Sequence, residues 1–366
     1  MKVCHMTSAH EEEDDRIYHR ECVSLAAAGY EVYLVERGAS YDKKGVHIIG
    51  VGEIPDGRLR RMTEGARKVY EKALELDCDI YHLHDPELLP YGMKLKRKGK
   101  KVIFDSHELT REQIRIKPYL PKRVAGLISS VYSRYENRVC EQIDAVIYPC
   151  PMNGQFPLPG KKQVYINNLP RTEIFYDRYD PTVERMPGTI CTVGSLSYSR
   201  GIKQLIQAAY KAGAKLYLGG TFNSEEFEAE IRAMPESVCT EFLGQLNWDE
   251  VYQLLNKCQI GASSILNVGQ YGQLGNLPTK VYECMSMALP VILTRTPYNE
   301  STIRKYQYGI CVDPENIDEF AGAIRYLMDH PEECRSMGEN GRKAVVEEFS
   351  WQVAEKALLD LYQSLS

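Results

Sequence analysis

Short apolar runs alternate with amphipathic stretches along most of this chain. That alternation constrains the fold more than any other feature. Residues 3–6, 31–35, 47–51, 80–84, 101–105 and 145–148 read as strands. Residues 18–28, 60–76, 88–98 and 124–143 read as helices between them, the first closed by Gly29. Strand–helix alternation of this kind implies a parallel sheet covered on both faces. The pattern is interrupted by four prolines within 149–159 and by a polar stretch, 167–181, with two more. It then restarts, with strands at 189–193, 215–219, 239–243, 260–264, 291–294 and 310–312. The helices of this second half read as 202–212, 227–233, 248–257, 279–287 and 317–328, with a helical tail over 334–363. A chain of 366 residues exceeds one ordinary core. The reading is therefore two α/β domains that meet near 165–185. Ligands of such sheets bind beyond the carboxyl ends of the strands, so the expected active site is a cleft between the two domains.

Composition removes several alternatives. With 43% hydrophobic and 26% charged residues the chain is globular. A net charge of -5 is not that of a nucleic-acid binder. Two basic stretches stand out, Lys94-Leu95-Lys96-Arg97-Lys98-Gly99-Lys100-Lys101 and Arg58-Leu59-Arg60-Arg61. The first reads as a solvated helix end or as a contact with anionic lipid or substrate. The eleven cysteines show no CxxC pair, and several sit in apolar runs. They read as free thiols in a reducing cytosol. The opening MKVCHMTSAHEEEDD is unlike a secretion signal, and no run reaches ~18 apolar residues.

Two strand–helix junctions in the second half suit an anion. In TICTVGSLSYSRGIKQLIQAA, Gly194 permits close backbone approach. Gly201 opens a helix whose unpaired amides and dipole favour negative charge, and Arg200 adds a permanent cation. The sequence is neither GxGxxG nor a Walker A loop, and a plain connection remains open. In GNLPTKVYECMSMALPVILT, Pro278 suits the first turn of a helix from Thr279, with Asn276 as its expected cap. Lys280 and Glu283 share a face near that helix start. Phosphate would gain from Lys280 and the dipole, and Glu283 could accept ribose hydroxyls. A surface ion pair is the bland alternative. In the first half, IYHLHDPELLP sets His82, His84 and Asp85 at one strand end, and KVIFDSHELTREQ sets Asp105, His107 and Glu108 at the next. Such groups suit acid–base or ligand-orienting work. A metal cluster is the lesser reading: His-x-His points both rings to one side, but the carboxylates would have to join them.

Together these residues resemble the family-four glycosyltransferases, retaining enzymes of the GT-B fold. The resemblance runs through SAHEEEDDRIYHRECVSLAAAGYEVYLV, HDPELLP, IFDSHEL, VGSLSYSRGIKQLIQA, FLGQLNWDEVYQLL, LPTKVYECMSMALPVI and FSWQVAEKALLDLY. It implies two Rossmann-like domains whose parallel sheets face a central cleft. Residues 1–168 would form the acceptor side, 169–347 the donor side, and 348–366 a helix crossing back to the first domain. By this resemblance Arg200 holds the donor diphosphate, Glu283 binds the ribose, and Lys280 matches a subgroup lysine. Gly194, Ser195, Gly201 and Thr279 line the donor, and the base lies near Gly244 to Leu246. Ser195 stands where many members carry arginine, which Lys280 would replace. Gly275 stands where many carry a glutamate, leaving amides near Asn276 and Leu277 to meet the sugar. The implied catalytic residues are His107, Arg200 and Lys280, with His84, Asp85 and Glu108 on the acceptor side. No cofactor and no metal are expected, the nucleotide-sugar, with UDP the expected nucleotide, being a co-substrate. The expected acceptor is a glycan or a lipid-linked molecule, with no nucleic-acid partner. The expected location is cytoplasmic, with peripheral contact at the cytoplasmic membrane face. A sugar-nucleotide epimerase and an inert nucleotide-sugar-binding subunit of a polysaccharide assembly are the competing readings.

Overall fold

The computed structural model describes every residue except 55–56, 116–119, 171–174, 269–270 and 366, together with the side chain of Arg58. One member of the basic stretch 58–61 and part of the polar segment 167–181 thus lie outside the described residues. The chain divides into two compact units, Met1–Asn168 with Gln352–Ser366, and Leu169–Trp351.

The first unit contains strands β1 (Lys2–Met6), β2 (Glu31–Glu36), β3 (Tyr41–Lys43), β4 (Val46–Gly50), β5 (Ile80–Leu83), β6 (Lys101–Asp105), β7 (Ala145–Tyr148) and β8 (Gln163–Tyr165). They form one sheet in the order β3-β4-β2-β1-β5-β6-β7-β8. Among the described strands of this unit, only β3 and β4 pair antiparallel. Its helices are α1 (Ile17–Cys22 running into Val23–Ala27), α2 (Arg58–Arg60 and Arg61–Gly65 running into Ala66–Glu75), α3 (Leu89–Arg97), α4 (Thr110–Arg115) and α5 (Lys122–Cys140). The central strands are buried on both faces, as sheets covered on both sides require; β5 and β7 have no exposed residue. The first turns of α1 are widened: His19 donates to the carbonyl of Asp14, and Glu21 to that of Arg16. Such widened turns occur often at functional sites, and here they leave Arg16 and Glu21 buried.

The second unit contains β9 (Met186–Val193), β10 (Lys215–Gly219), β11 (Thr240–Gly244), β12 (Cys258–Ser263), β13 (Val291–Thr294) and β14 (Gly309–Val312). They form a parallel sheet in the order β11-β10-β9-β12-β13-β14. The helices are α6 (Ile202–Ala212), α7 (Glu225–Ala233), α8 (Trp248–Lys257), α9 (Thr279–Ser286), α10 (Pro297–Tyr306), α11 (Ile317–Asp329) and α12 (Pro331–Glu348). Their ends follow local chemistry. Asn247 and Glu250 form a reciprocal capping box on α8, and Thr296 caps α10 ahead of Pro297. Leu205, Ile206 and Ala209 of α6 and Phe320, Ile324 and Leu327 of α11 pack with Leu216, Leu218 and Ile260 of the sheet.

Strand order reverses between β1 and β5 in one unit and between β9 and β12 in the other. Those reversals are where ligands of open α/β sheets bind. Two expectations need correction. The tail 334–363 is not continuous: α12 ends at Glu348, and a new helix, α13 (Trp351–Gln363), starts after Phe349 and Ser350. The break is fixed by the Trp351 amide, which donates to the Pro170 carbonyl at 2.8 Å. Asn276 does not cap α9. The capping position is Pro278, which has no side-chain acceptor to offer, and its carbonyl receives the Val281 amide instead. All eleven cysteines are free thiols, and all but Cys239 and Cys311 are buried. Among the described residues, no helix is long and apolar enough to cross a membrane.

Candidate functional site

In the second unit, the loop after β9 bends back on itself through glycine. Gly194 has φ +126 and Gly201 φ +65. A Cβ on Gly201 would stand 2.0 Å from the Ser264 carbonyl oxygen, so any side chain there would force the loop off β12. Ser264 holds the loop from its own side, its hydroxyl donating to the Arg200 carbonyl at 2.9 Å. Gly220, after β10, is equally constrained: a Cβ there would meet the Gly194 carbonyl oxygen at 1.8 Å. The Gly220 amide donates to the Gly244 carbonyl at 2.6 Å, and Leu246 packs over Gly219. Gly194, Ser195, Gly201, Gly244 and Leu246 are therefore gathered along neighbouring strand ends. Gly220 and Ser264 belong to the same construction, and their signal was a Gly-Gly pair and a Ser-Ser pair at strand ends.

Lys280 reaches into this loop from the first turn of α9. Its Nζ donates to Thr192 Oγ1 at 3.1 Å and lies 3.8 Å from where a Gly194 Cβ would stand. Burial and the neighbouring charge of Arg200 pull its amine down to about 8, with Glu283 opposing. Arg200 lies 5.3 Å from the Tyr271 ring. Glu283 is half-buried one turn further into α9, and Thr279 is exposed at its start. Ahead of the helix, the Leu277 amide donates to Tyr282 at 3.3 Å, and Asn276 is half-buried. Two cations thus share one glycine loop at the β9/β12 reversal.

In the first unit, imidazoles and carboxylates form a continuous network. His82 on β5 and His84 just after its end stack with ring centroids 4.5 Å apart. His5 stands beside His82 on β1, and its Nδ1 shares a hydrogen bond with His84 Nε2 at 2.9 Å. His84 Nδ1 lies 3.2 Å from His107 Nε2, which is 3.3 Å from Asp105. The carboxylates that the His-x-His pair needed come from Asp105 on β6 and from Glu21 on α1, the latter 3.8 Å from His82. Arg16 binds Asp105 through two nitrogens at 2.8 and 3.1 Å and lies 3.2 Å from Glu21. Burial raises Asp105, but Arg16 and His107 outweigh it and hold the carboxyl well below its usual range. Burial and the charge of Asp105 push Glu21 up. Burial keeps His5 and His82 neutral and lowers His84 to about 4. Ligand atoms of His5, Glu21, His82 and His84 lie within 4.8 Å of one another, as do those of His84, Asp105 and His107. The guanidinium of Arg16 already places a permanent cation against both carboxylates of this cluster, which is how buried acids are normally balanced.

Asp85 is held separately. It accepts from the Ser8 amide at 2.6 Å, the Ala9 amide at 3.1 Å and the Thr7 hydroxyl at 2.9 Å. His10 Nδ1 lies 3.1 Å from its other oxygen. His10 and His107 stand together, centroids 4.7 Å apart, each half-buried and each backed by a buried aspartate. Glu108 is exposed, and its carbonyl accepts from the Ser106 hydroxyl. Sequence reasoning missed His5, His10, Arg16 and Glu21. The available signal was Glu21 itself, a carboxylate on a helix face otherwise made of Ile17, Cys22 and Leu25.

Two family profiles match the chain in succession. The profile described as Glycosyltransferase Family 4 matches residues 16–155, and that described as Glycosyl transferases group 1 matches 178–344. A GDP-mannose-dependent monoacylated alpha-(1-6)-phosphatidylinositol monomannoside mannosyltransferase of Corynebacterium glutamicum is 25% identical over 47% of this chain and 44% of its own length. The chain spans under half the length of the curated relatives it matches. Sucrose-phosphate synthase of Thermosynechococcus elongatus superposes with a TM-score of 0.80 at 16% identity, covering 100% of this chain and 99% of that one. HepE of Anabaena, in complex with UDP and glucose, gives a TM-score of 0.72 at 12% identity over 100% of each chain. At such identities the likeness is one of fold, the GT-B arrangement of two parallel-sheet domains.

Proposed function

The chain belongs to the GT4-type glycosyltransferases of the GT-B fold, and from that premise we propose that it transfers a sugar from a UDP-sugar to a glycan or lipid-linked acceptor, with retention of configuration. The observation that carries the donor end is Lys280. A lysine amine drawn into a glycine loop beside Arg200, its basicity lowered by burial and by that second cation, is poised for an anion. A diphosphate relieves the repulsion between the two cations. In this proposal Arg200, Lys280 and the helix starts at Gly201 and Thr279 hold the diphosphate and stabilise the charge that develops on it as the sugar leaves. Glu283 takes the ribose hydroxyls, and the segment from Gly244 to Leu246 meets the base. Amides near Asn276 and Leu277 approach the sugar. His107 orients the sugar or its phosphate, and His84, Asp85 and Glu108 serve the acceptor. The acceptor attacks the face the leaving group departs from, and the leaving phosphate helps take its proton. The Anabaena neighbour crystallised with UDP and glucose supports the choice of nucleotide. No divalent metal enters this scheme, because side-chain cations and dipoles do its work.

The test is calorimetric titration of UDP, GDP, TDP and ADP, followed by release of the diphosphate from the matching sugar donor. UDP is expected to bind tightest, and Glu283→Ala to weaken it by at least ~tenfold. Turnover is expected to persist in EDTA. Tight binding with no release in the presence of any acceptor would leave an inert binding subunit instead. Turnover lost to EDTA and restored by Mg²⁺ or Mn²⁺ would overturn the metal-free scheme.

A further inference from the structure

Helix α5 carries apolar residues on a buried side and on a second, exposed side. Its inner side is buried in the first unit through Ala125, Val139 and Cys140. Its outer side carries Val124, Leu127, Ile128, Val131 and Tyr135, which are between 39% and 68% exposed. The spacing i, i+3, i+4, i+7, i+11 places all five on one stripe running three turns along the helix. Single exposed apolar side chains are ordinary, but a contiguous stripe marks an interaction surface.

The charges around the stripe select the partner. Lys122, Arg123, Arg134 and Arg138 are exposed on the same helix. The one carboxylate between Lys122 and Cys140 is Glu136, and it is fully buried. Glu141 follows only after the last turn. Helix α3 touches α5 and ends in exposed Arg97 and Lys98. This concentration of positive charge stands on a chain whose net charge is -5. A second copy of the same face would bring these cations against one another. A bilayer rich in anionic lipid meets both requirements, because apolar side chains enter the acyl boundary while flanking cations meet headgroup phosphates.

We propose that α5 docks the protein on an anionic membrane surface, with Leu127 and Val131 at the centre of the inserted stripe. Arg97 and Lys98, at the end of the neighbouring helix α3, add exposed positive charge to the docking face. The inference does not rest on the donor chemistry, since docking needs neither nucleotide nor acceptor.

The test is co-sedimentation of the full chain with vesicles of phosphatidylcholine and phosphatidylglycerol in equal parts, and with phosphatidylcholine alone. Binding is expected to the first only, weakening as salt rises. Leu127→Asp with Val131→Asp is expected to reduce it by at least ~tenfold while melting and donor turnover on a soluble acceptor stay unchanged. Should that pair melt early, Arg123→Gln with Arg134→Gln leaves the stripe intact and is expected to weaken binding and flatten its salt dependence. Equal sedimentation of wild type and both variants, or no binding to either vesicle, would overturn the proposal. So would a dimer in light scattering that the Asp variants abolish, in a protein that ignores vesicles.

Discussion

Lys280 and His10 are displaced in opposite directions, and each displacement has a readable consequence. Burial and Arg200 lower the Lys280 amine to about 8. A diphosphate would bind the protonated amine and raise it again. Affinity for UDP should then be flat below pH ~7 and weaken by about tenfold per pH unit above ~8. Lys280→Met should bind weakly, and with no pH dependence over that window. Calorimetry across it decides the matter, because identical pH profiles for both proteins would remove Lys280 from the anion site. His10 is raised: burial lowers it, but the bond and charge of Asp85 outweigh burial. A raised histidine contributes stability that is present below its unfolded value and lost as pH rises through its folded one. Asp85→Asn should drop the His10 imidazole below ~6.5, seen by nitrogen-15 NMR, and should cost more stability near pH ~6 than near pH ~8. An unmoved His10 resonance would show that the Asp85 contact is not what sustains its charge.

Elements whose residues carry a period were legible; elements defined by their neighbours were not. β5, β6 and β7 read as strands because buried parallel strands are continuous apolar runs. Three-residue β3 and β8 are edge strands, too short for any period, and exist because β4 and β7 offer them hydrogen bonds. Helix α10 went unread since Pro297 looks like a breaker until Thr296 is seen to cap it. On α5 the obscured feature is Glu136, a charge placed on an inward face. Its Oε1 accepts from Tyr132 at 3.2 Å and its Oε2 has no partner, so burial pushes the carboxyl up to about 7. Because the folded value is raised, the folded state holds the proton that the unfolded state loses, and stability falls between pH ~4.5 and ~7. Glu136→Gln should match wild type near pH ~4.5 and exceed it by up to ~3 kcal/mol near pH ~8. Urea unfolding at the two pH values measures this, and an equal difference at both would mean that the proton is not involved.

At the scale of the molecule, the chain closes the first unit with its own last helix. Within that unit the Tyr362 hydroxyl of α13 lies 2.8 Å from His82 Nδ1 and 3.1 Å from His5 Nε2, joining the end of the sequence to its first strand. The strand-end histidines could be found from HLHD and DSHE, but the groups that orient them could not. His5, Arg16, Glu21 and Tyr362 come from widely separated segments, and only their convergence makes a network. The loop after β9 was more legible because its constraints are local: Gly194 and Gly201 stand within a few residues of the start of α6. Tyr362 therefore gives a test of how far the network reaches. Tyr362→Phe keeps the ring, which packs with Tyr30 at 5.7 Å, and removes only the hydroxyl. Two buried imidazoles then lose a partner, an expected cost of about 1–3 kcal/mol. If the network is one cooperative unit, hydrogen exchange should quicken across β1 and β5 together with α13, and leave β9 to β14 unchanged. Exchange that quickens in α13 alone would show the hydroxyl to be a local fastening rather than part of the histidine array.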